Sequence, residues 1–564
     1  MLTKERTITF RRLLDSRPLL VLAFLSYVVP AATIVIYAGL IGLGRWQLDE
    51  YFDFYWARKG FPFLLERLQW SPRPVSESLL FGYAWTVNHL HRPLIVPLLL
   101  ALWVVFILAG LFTVAENRML VVRHVRPHLL LALSLMALFL AGGHTTEVFY
   151  WPAGAIAYLP TLAASLLFFL QVIGGRLFTS RGGVVAGVCL LVAAGSSEAG
   201  ATLAFFYGVV RAARWAWERF ARQRLSERRP FLWWALPSAL GAFLLLAVLA
   251  NRFHAAETVP GQSAAGRPVA SVVAGVQEMV VEIIGREMLA NLVKARPDPH
   301  AWFHSGPRLV IDMVLGSRLW MELLLAAGVA LCWSPFGCVS KELASQILEL
   351  AAALLLACFS TIAAANLHFG ATCCARHELL RECWLVMIIA GVTIASAAWT
   401  SAELIARRSV YAALAPVLLA AAVLSLGHLR PLFRTYAMYR ALREAGQQNF
   451  ESGFRENTGH MVFSVLPSAG IVTEETLVPG SYTALPVKIS DFGYSYYPYY
   501  LLAFFDKQSL IIHPLETFKW TSVDSTLARD NCEGLLAPDS VLSSKSGPVL
   551  SSASCTAGSS LSHH

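Results

Sequence analysis

The sequence predicts an all-α polytopic membrane bundle of about eleven transmembrane helices, amino end inside and carboxyl end outside. It adds interfacial helices and a small α+β extracytoplasmic carboxyl-terminal domain. Three observations predict this class. Hydrophobic residues make up 56% of the 564 residues and charged residues only 14%, too little charge for a soluble chain of this length. Apolar runs recur from Leu19 to Leu426, each long enough to cross a hydrocarbon core about 30 Å thick. The basic residues gather in alternate connections, as the positive-inside rule requires. The net charge of +9 therefore marks cytoplasmic loops and is no sign of nucleic-acid binding.

Spans are expected at 19–43, 93–114, 128–143, 158–174, 184–197, 199–212, 231–250, 319–334, 343–364, 383–400 and 409–427. The first follows a basic amino terminus and lacks a cleavage site after it, so it reads as a retained helix. The inner loops read ENRMLVVRHVRP, GGRLFTSRGG, RAARWAWERFARQRLSERRP and AELIARRS, all short and Arg-rich. The outer connections GGHTTEVFYWPAGAIAY and SSEAG hold no Lys or Arg. The short fifth and sixth spans also fit a re-entrant pair, which leaves the orientation of the rest unchanged. Residues 1–427 form the membrane domain on this reading.

Two outer regions are too long to be mere connections. Residues 44–92 read as two amphipathic helices lying on the membrane, hinged at SPRP (Ser71–Pro74). Trp46, Tyr51, Phe54, Tyr55 and Trp56 suit the interface there. Residues 251–318 hold a Gly/Ser/Pro-rich stretch and then VASVVAGVQEMVVEIIGREML, whose apolar spacing is helical. After Leu426 the chain turns polar, and the β-prone runs HMVFSVLP, YTALPVKI and SLIIHP mark residues 428–538 as an extracytoplasmic domain with some strand. Residues 539–564 are Ser-rich, of low complexity, and expected to be disordered.

The nine cysteines form no CxxC pair and no zinc spacing. Cys373, Cys374 and Cys383 cluster near one expected outer loop and Cys532 lies in the tail; a disulfide among them needs an oxidising compartment. There is no Walker sequence, no GxGxxG between strand and helix, and no HExxH. Nucleotide-driven chemistry is thus not expected, and the energy for a reaction must reside in a membrane-borne substrate.

Four stretches carry candidate chemistry. In QLDEYFDFYWARKGFP, Asp49, Glu50 and Asp53 lie at the outer end of the first span, and none of the basic residues that follow, Arg58, Lys59 and Arg67, stands three or four positions from Asp49. A carboxylate left there near the apolar boundary suits a general base; a solvated pair of charges is the plain alternative. In GGHTTEVFYWPAGAIAYLP, His144 and Glu147 precede a Pro/Gly break expected to give irregular backbone around a cavity, with acceptor or metal contact as the candidate role. Glu198 lies between two apolar runs, either as a functional acid at membrane depth or as a helix cap after Ser196 and Ser197. Arg376, His377 and Arg381 form a basic counterpart at an outer helix end, suited to hold a phosphate or a lipid headgroup, and Arg73 is a second candidate.

This layout resembles the GT-C glycosyltransferase superfamily. The LDEY run (Leu48–Tyr51), SPRPVSE (Ser71–Glu77) and EVFYWPAGAIAYL (Glu147–Leu159) look closest to an uncharacterised bacterial branch related to O-antigen glucosyltransferases. The likeness spans the helix-rich part to about residue 427. It implies a polyprenyl-phosphate-sugar donor, a glycan or glycolipid acceptor, and a bacterial inner-membrane enzyme working on the extracytoplasmic face. It implies Asp49 as catalytic base with Glu50 beside it, Glu147 as the second outer acid, and Arg376 holding the leaving phosphate. Some members use a divalent metal (Mg or Mn) and some none; here it would lie between Asp49 and Glu147.

Other classes predict different patterns. A transporter or flippase of a lipid-linked saccharide calls for pore-facing charges on several spans. An O-antigen polymerase or ligase calls for outer loops dominated by arginine rather than an Asp-Glu pair. A membrane scaffold would tolerate loss of every acid named.

Overall fold

Proline, glycine and the polar connections set where each helix starts and stops. The computed structural model describes residues 17–44, 46, 49–116, 127–141, 145–222, 232–258, 277, 326–328, 339–369, 375–396, 443–444, 446–454, 460–465, 486–488, 503–507 and 509–514. Helix α1 (Arg17–Gly39) runs into a 3-10 turn (Leu40–Leu43) that ends at Gly44. A Cβ on Gly44 would stand 2.3 Å from Leu99 Cδ1, so a larger residue here would push the Leu99 side chain aside.

The first loop folds as α2 (Asp49–Ala57), α3 (Phe61–Trp70) and α4 (Pro74–Leu90), one helix more than expected. The SPRP hinge is present between α3 and α4. The additional break is Gly60, at φ +75°, a left-handed conformation natural only to glycine. Pro62 and Pro74 stand in the first turns of α3 and α4, where the missing N–H costs nothing.

The bundle continues through α5 (Ile95–Glu116), α6 (Pro127–Ala141), α7 (Thr145–Phe149), α8 (Pro152–Ile173), α9 (Ser180–Ser196), α10 (Glu198–Arg222), α11 (Leu232–Thr258), α12 (Lys341–Phe369) and α13 (Ala375–Ser396). Among the described residues, five of these are long and apolar enough to cross a membrane: α5, α8, α11, α12 and α13. Shorter apolar helices cover Tyr27–Leu43, His128–Ala141 and Ser180–Ser196. This is a helical, multi-pass membrane architecture. The expected spans at 319–334 (save 326–328) and 409–427 lie outside the described residues, as does nearly all of 251–318.

Helix α8 is the hub. It is buried along nearly its whole length and packs against α5, α9, α12 and α13. The Pro-Ala-Gly-Ala segment expected to be irregular is instead its first turn. Pro152 occupies the opening position, and Gly154 is there for packing: a Cβ would come 2.1 Å from the Glu147 carbonyl oxygen of α7. Helix α10 likewise runs further than the span 199–212, into the stretch read as an inner loop. Its Arg211 donates to Glu349 of α12 at 2.7 Å, and Arg214 pairs with the same carboxylate.

The aromatics of the first loop are not all at an interface. Trp46, Tyr51 and Phe54 are buried, while Tyr55 and Trp56 are half-buried. What covers them comes from the far end of the chain. Phe450, in helical residues 446–454, lies 5.0 Å ring to ring from Trp46, and Phe504 lies 5.6 Å from Phe54. Arg58 donates to Asp506 at 3.4 Å and to the Phe504 carbonyl, clamping the same seam.

Three short strands follow in the carboxyl-terminal part: β1 (His460–Val465), β2 (Pro486–Lys488) and β3 (Ser509–Pro514). They pair in the order β1-β3-β2, with β3 parallel to β1 and antiparallel to β2. Each lies within one of the three β-prone runs, where branched and aromatic residues favour extended chain. Residues 539–564 lie outside the described part.

Candidate functional site

Candidate residues of the first loop, of α10 and of α13 gather around the first turns of α8. Glu50, in the first turn of α2, is fully buried, and Ala153 N at the start of α8 donates to its Oε1 at 3.4 Å. Trp151, which precedes α8, makes no side-chain cap, so the carboxylate takes one of the helix's first N–H groups from a distant part of the sequence. Trp46 Nε1 donates to Tyr83 Oη at 2.8 Å behind it. Burial pushes the Tyr83 phenol up and the Glu50 charge adds to that, so Tyr83 stays protonated.

Two other acids of the loop, Asp53 and Glu77, are neutralised. Asp53 pairs with Arg67 at 3.6 Å, a partner fourteen positions away that helical spacing alone does not reveal. Glu77 receives Arg67 Nε on Oε2 at 3.0 Å and Arg73 on Oε1 at 2.9 Å. Burial works against the charge of both guanidiniums, yet the facing carboxylates outweigh it and raise both above the ordinary arginine value. Arg73 also donates to Ser71 Oγ at 2.7 Å and stands 3.8 Å from Glu198 Oε2. Three of its directions are thus spoken for, and it acts first as a strut from the loop to α10.

Glu198 is the first residue of α10, but it is not the cap. Ser197 Oγ accepts from Gly200 N at 3.0 Å and lies 2.8 Å from Thr161 Oγ1 of α8. Glu198 adds a favourable negative charge to that helix start and turns its side chain to Arg73.

Arg376 and His377 open α13 and face α8. The Arg376 guanidinium lies over the Trp151 ring at 5.1 Å and over the Tyr158 ring at 5.9 Å. Its Nε is buried with no hydrogen-bond partner among the described residues. His377 Nε2 stands 2.7 Å from Tyr158 Oη. Arg376, Glu198 and Arg73 all act electrostatically on Tyr158, so the two ends of the cluster share one hydroxyl. Arg381, one turn further on, is buried.

Glu147, in α7, is half-buried, and its carboxylate makes no hydrogen bond or ion pair among the described residues. His144 and the Asp49 side chain lie outside the described residues; the Asp49 backbone begins α2. Among the described residues no group of three His, Cys, Asp or Glu gathers to hold a metal ion, and no step below passes through one.

Trp151, Tyr158 and Glu77 were not among the candidate residues read from the sequence, and Ser197 entered only as a residue preceding Glu198. Trp151 and Tyr158 carried a usable signal: seven positions apart, they fall on one face of the helix they begin. The chain has no match among family models, curated proteins or solved structures.

Proposed function

We propose that the protein is an integral-membrane glycosyltransferase of the GT-C kind, moving a sugar from a polyprenyl-phosphate donor to a lipid-linked or cell-surface glycan on the extracytoplasmic face of a bacterial inner membrane. The observation that carries this reading is the Arg376 guanidinium. It is braced on two aromatic faces, and its buried Nε has no acceptor among the described residues. A charged donor at the head of two membrane helices, beside an imidazole, suits a phosphate held at the membrane surface.

In the reaction, an acceptor hydroxyl oxygen bonds to the anomeric carbon while the sugar–phosphate C–O bond breaks, its electron pair leaving on the phosphate. Arg376 and His377 stabilise that departing charge. The hydroxyl proton passes to a carboxylate. Glu50, Asp53, Glu77 and Glu198 are each engaged with a backbone N–H or an arginine. Asp49 therefore stays the proposed base, with Glu147 as the second acid at the acceptor side.

The test is mass spectrometry of surface glycans and glycolipids in the native host for wild type, a deletion, Asp49→Asn and Glu147→Gln at matched protein levels. The proposal expects the deletion and Asp49→Asn to lose the same sugar. A deletion that blocks export of a whole saccharide, with both variants behaving as wild type, would assign the protein to the flippases instead.

A further inference from the structure

We infer that Tyr158 is the positioning residue of the phosphate grip: its hydroxyl fixes His377 and its ring seats Arg376, so that both present donors to one phosphate. The inference rests on the reading of Arg376 and His377 as phosphate-binding.

Three relationships converge on this one side chain. Its hydroxyl lies 2.7 Å from His377 Nε2, and the two rings meet edge to face at 5.3 Å and 76°. The imidazole can neither rotate nor flip without losing that bond. If the phenol donates, Nε2 is the acceptor and the proton sits on Nδ1; if the imidazole is protonated, the phenol accepts. Either state leaves the ring in one orientation. Second, the Tyr158 ring and the Trp151 ring together hold the Arg376 guanidinium. Third, Tyr158 lies in the field of Arg73 and Glu198, so it borders the strut that ties the first loop to α10. Tyr158 is buried in the second turn of α8, the most enclosed helix of the bundle, and its hydroxyl is therefore a rigid reference point.

The ligand chemistry is a phosphate or pyrophosphate group, whether esterified to a polyprenyl lipid or free. The full chain, purified in detergent, is titrated with a long-chain polyprenyl phosphate and, separately, with inorganic pyrophosphate. The proteins are wild type, Tyr158→Phe, Tyr158→Leu, His377→Ala, Arg376→Ala and the Tyr158→Phe/His377→Ala double variant, with thermal unfolding recorded for each. Tyr158→Phe keeps the ring face and is expected to weaken binding roughly tenfold with unfolding unchanged, the size of one lost hydrogen bond in a charged network. Tyr158→Leu is expected to weaken it further. Adding Tyr158→Phe to His377→Ala is expected to cost less than Tyr158→Phe alone, because the hydroxyl acts chiefly through the imidazole and keeps only its contact with the Arg376 side chain once His377 is gone.

A Tyr158→Phe protein that binds as wild type, or one that loses the same factor with His377 already removed, overturns the inference and leaves Arg376 in place. A wild type that binds neither probe overturns the phosphate reading and this inference with it. Binding of the lipid alone assigns the grip to a lipid donor. Binding of inorganic pyrophosphate alone, with the same variant pattern, supports the grip and counts against the lipid donor.

Discussion

Glu50 reaches from the first turn of α2 to the backbone nitrogen of Ala153 in the first turn of α8, 103 positions along the chain. That contact joins the first loop to the central helix and makes Glu50 a support of the site. The expected consequence separates it from a catalytic base. Glu50→Gln should keep most of the activity, since the amide oxygen still accepts. Glu50→Ala should cost about 1–2 kcal/mol of stability through the lost cap. Thermal unfolding read beside turnover distinguishes the two: a base would lose turnover in the glutamine variant with no change in unfolding.

Glu77 is the keystone of the loop. It is 3% exposed and faces two guanidiniums, so Glu77→Ala removes the shorter ion pair of each and leaves Arg67 only Asp53 at 3.6 Å and Arg73 only Glu198 at 3.8 Å. A loss of about 3–5 kcal/mol is expected. The pH dependence carries a definite sign. Arg67 and Arg73 have folded values raised above their unfolded ones, so their contribution is fully present through neutral pH and fades only as pH rises beyond the ordinary arginine range. Between pH 6 and about 9, unfolding should therefore show no step from these groups. A loss of stability in that window that Glu77→Ala abolishes would contradict this.

The seam between the loop and the tail is held by rings rather than by its ion pair. Phe504 is fully buried against Phe54, Phe450 and Phe454, whereas the Asp506 side chain facing Arg58 is 81% exposed. Phe504→Ala should cost about 3–5 kcal/mol and Asp506→Ala less than about 1 kcal/mol. Unfolding midpoints of the two variants check the ranking.

Ser197 serves two helices at once, capping α10 and meeting Thr161 of α8. Ser197→Ala should destabilise by about 1–2 kcal/mol, and Ser197→Thr should restore much of it. Glu198→Gln leaves the cap intact and removes only the charge facing Arg73, so its stability effect should be the smaller of the two.

Much of the helical architecture was legible because apolar runs of membrane length admit few other folds. The SPRP hinge and the three strand-forming runs were legible too, from proline and from branched residues. What the sequence did not reveal depends on partners. Periodicity says that Trp46, Tyr51 and Phe54 share an apolar environment, and lipid was the natural guess; Phe450 and Phe504, some 400 positions on, cover them instead. The pairing of Asp53 was not legible because helix spacing reaches only three or four positions, whereas Arg67 meets it across the Gly60 turn. The Pro-Ala-Gly-Ala segment read as a break because proline and glycine end most helices. Here Pro152 begins one, and Gly154 makes room for the Glu147 carbonyl.

Arg376 is the residue on which the transferase reading turns. The most direct measurement is mass spectrometry of the lipid extract and surface glycans from native-host membranes carrying wild type, a deletion or Arg376→Ala at matched protein levels. The deletion and Arg376→Ala should lack the same sugar on the glycan and accumulate that sugar on its polyprenyl phosphate. Glycans of unchanged composition in the deletion, with no donor accumulating, would contradict the transferase reading.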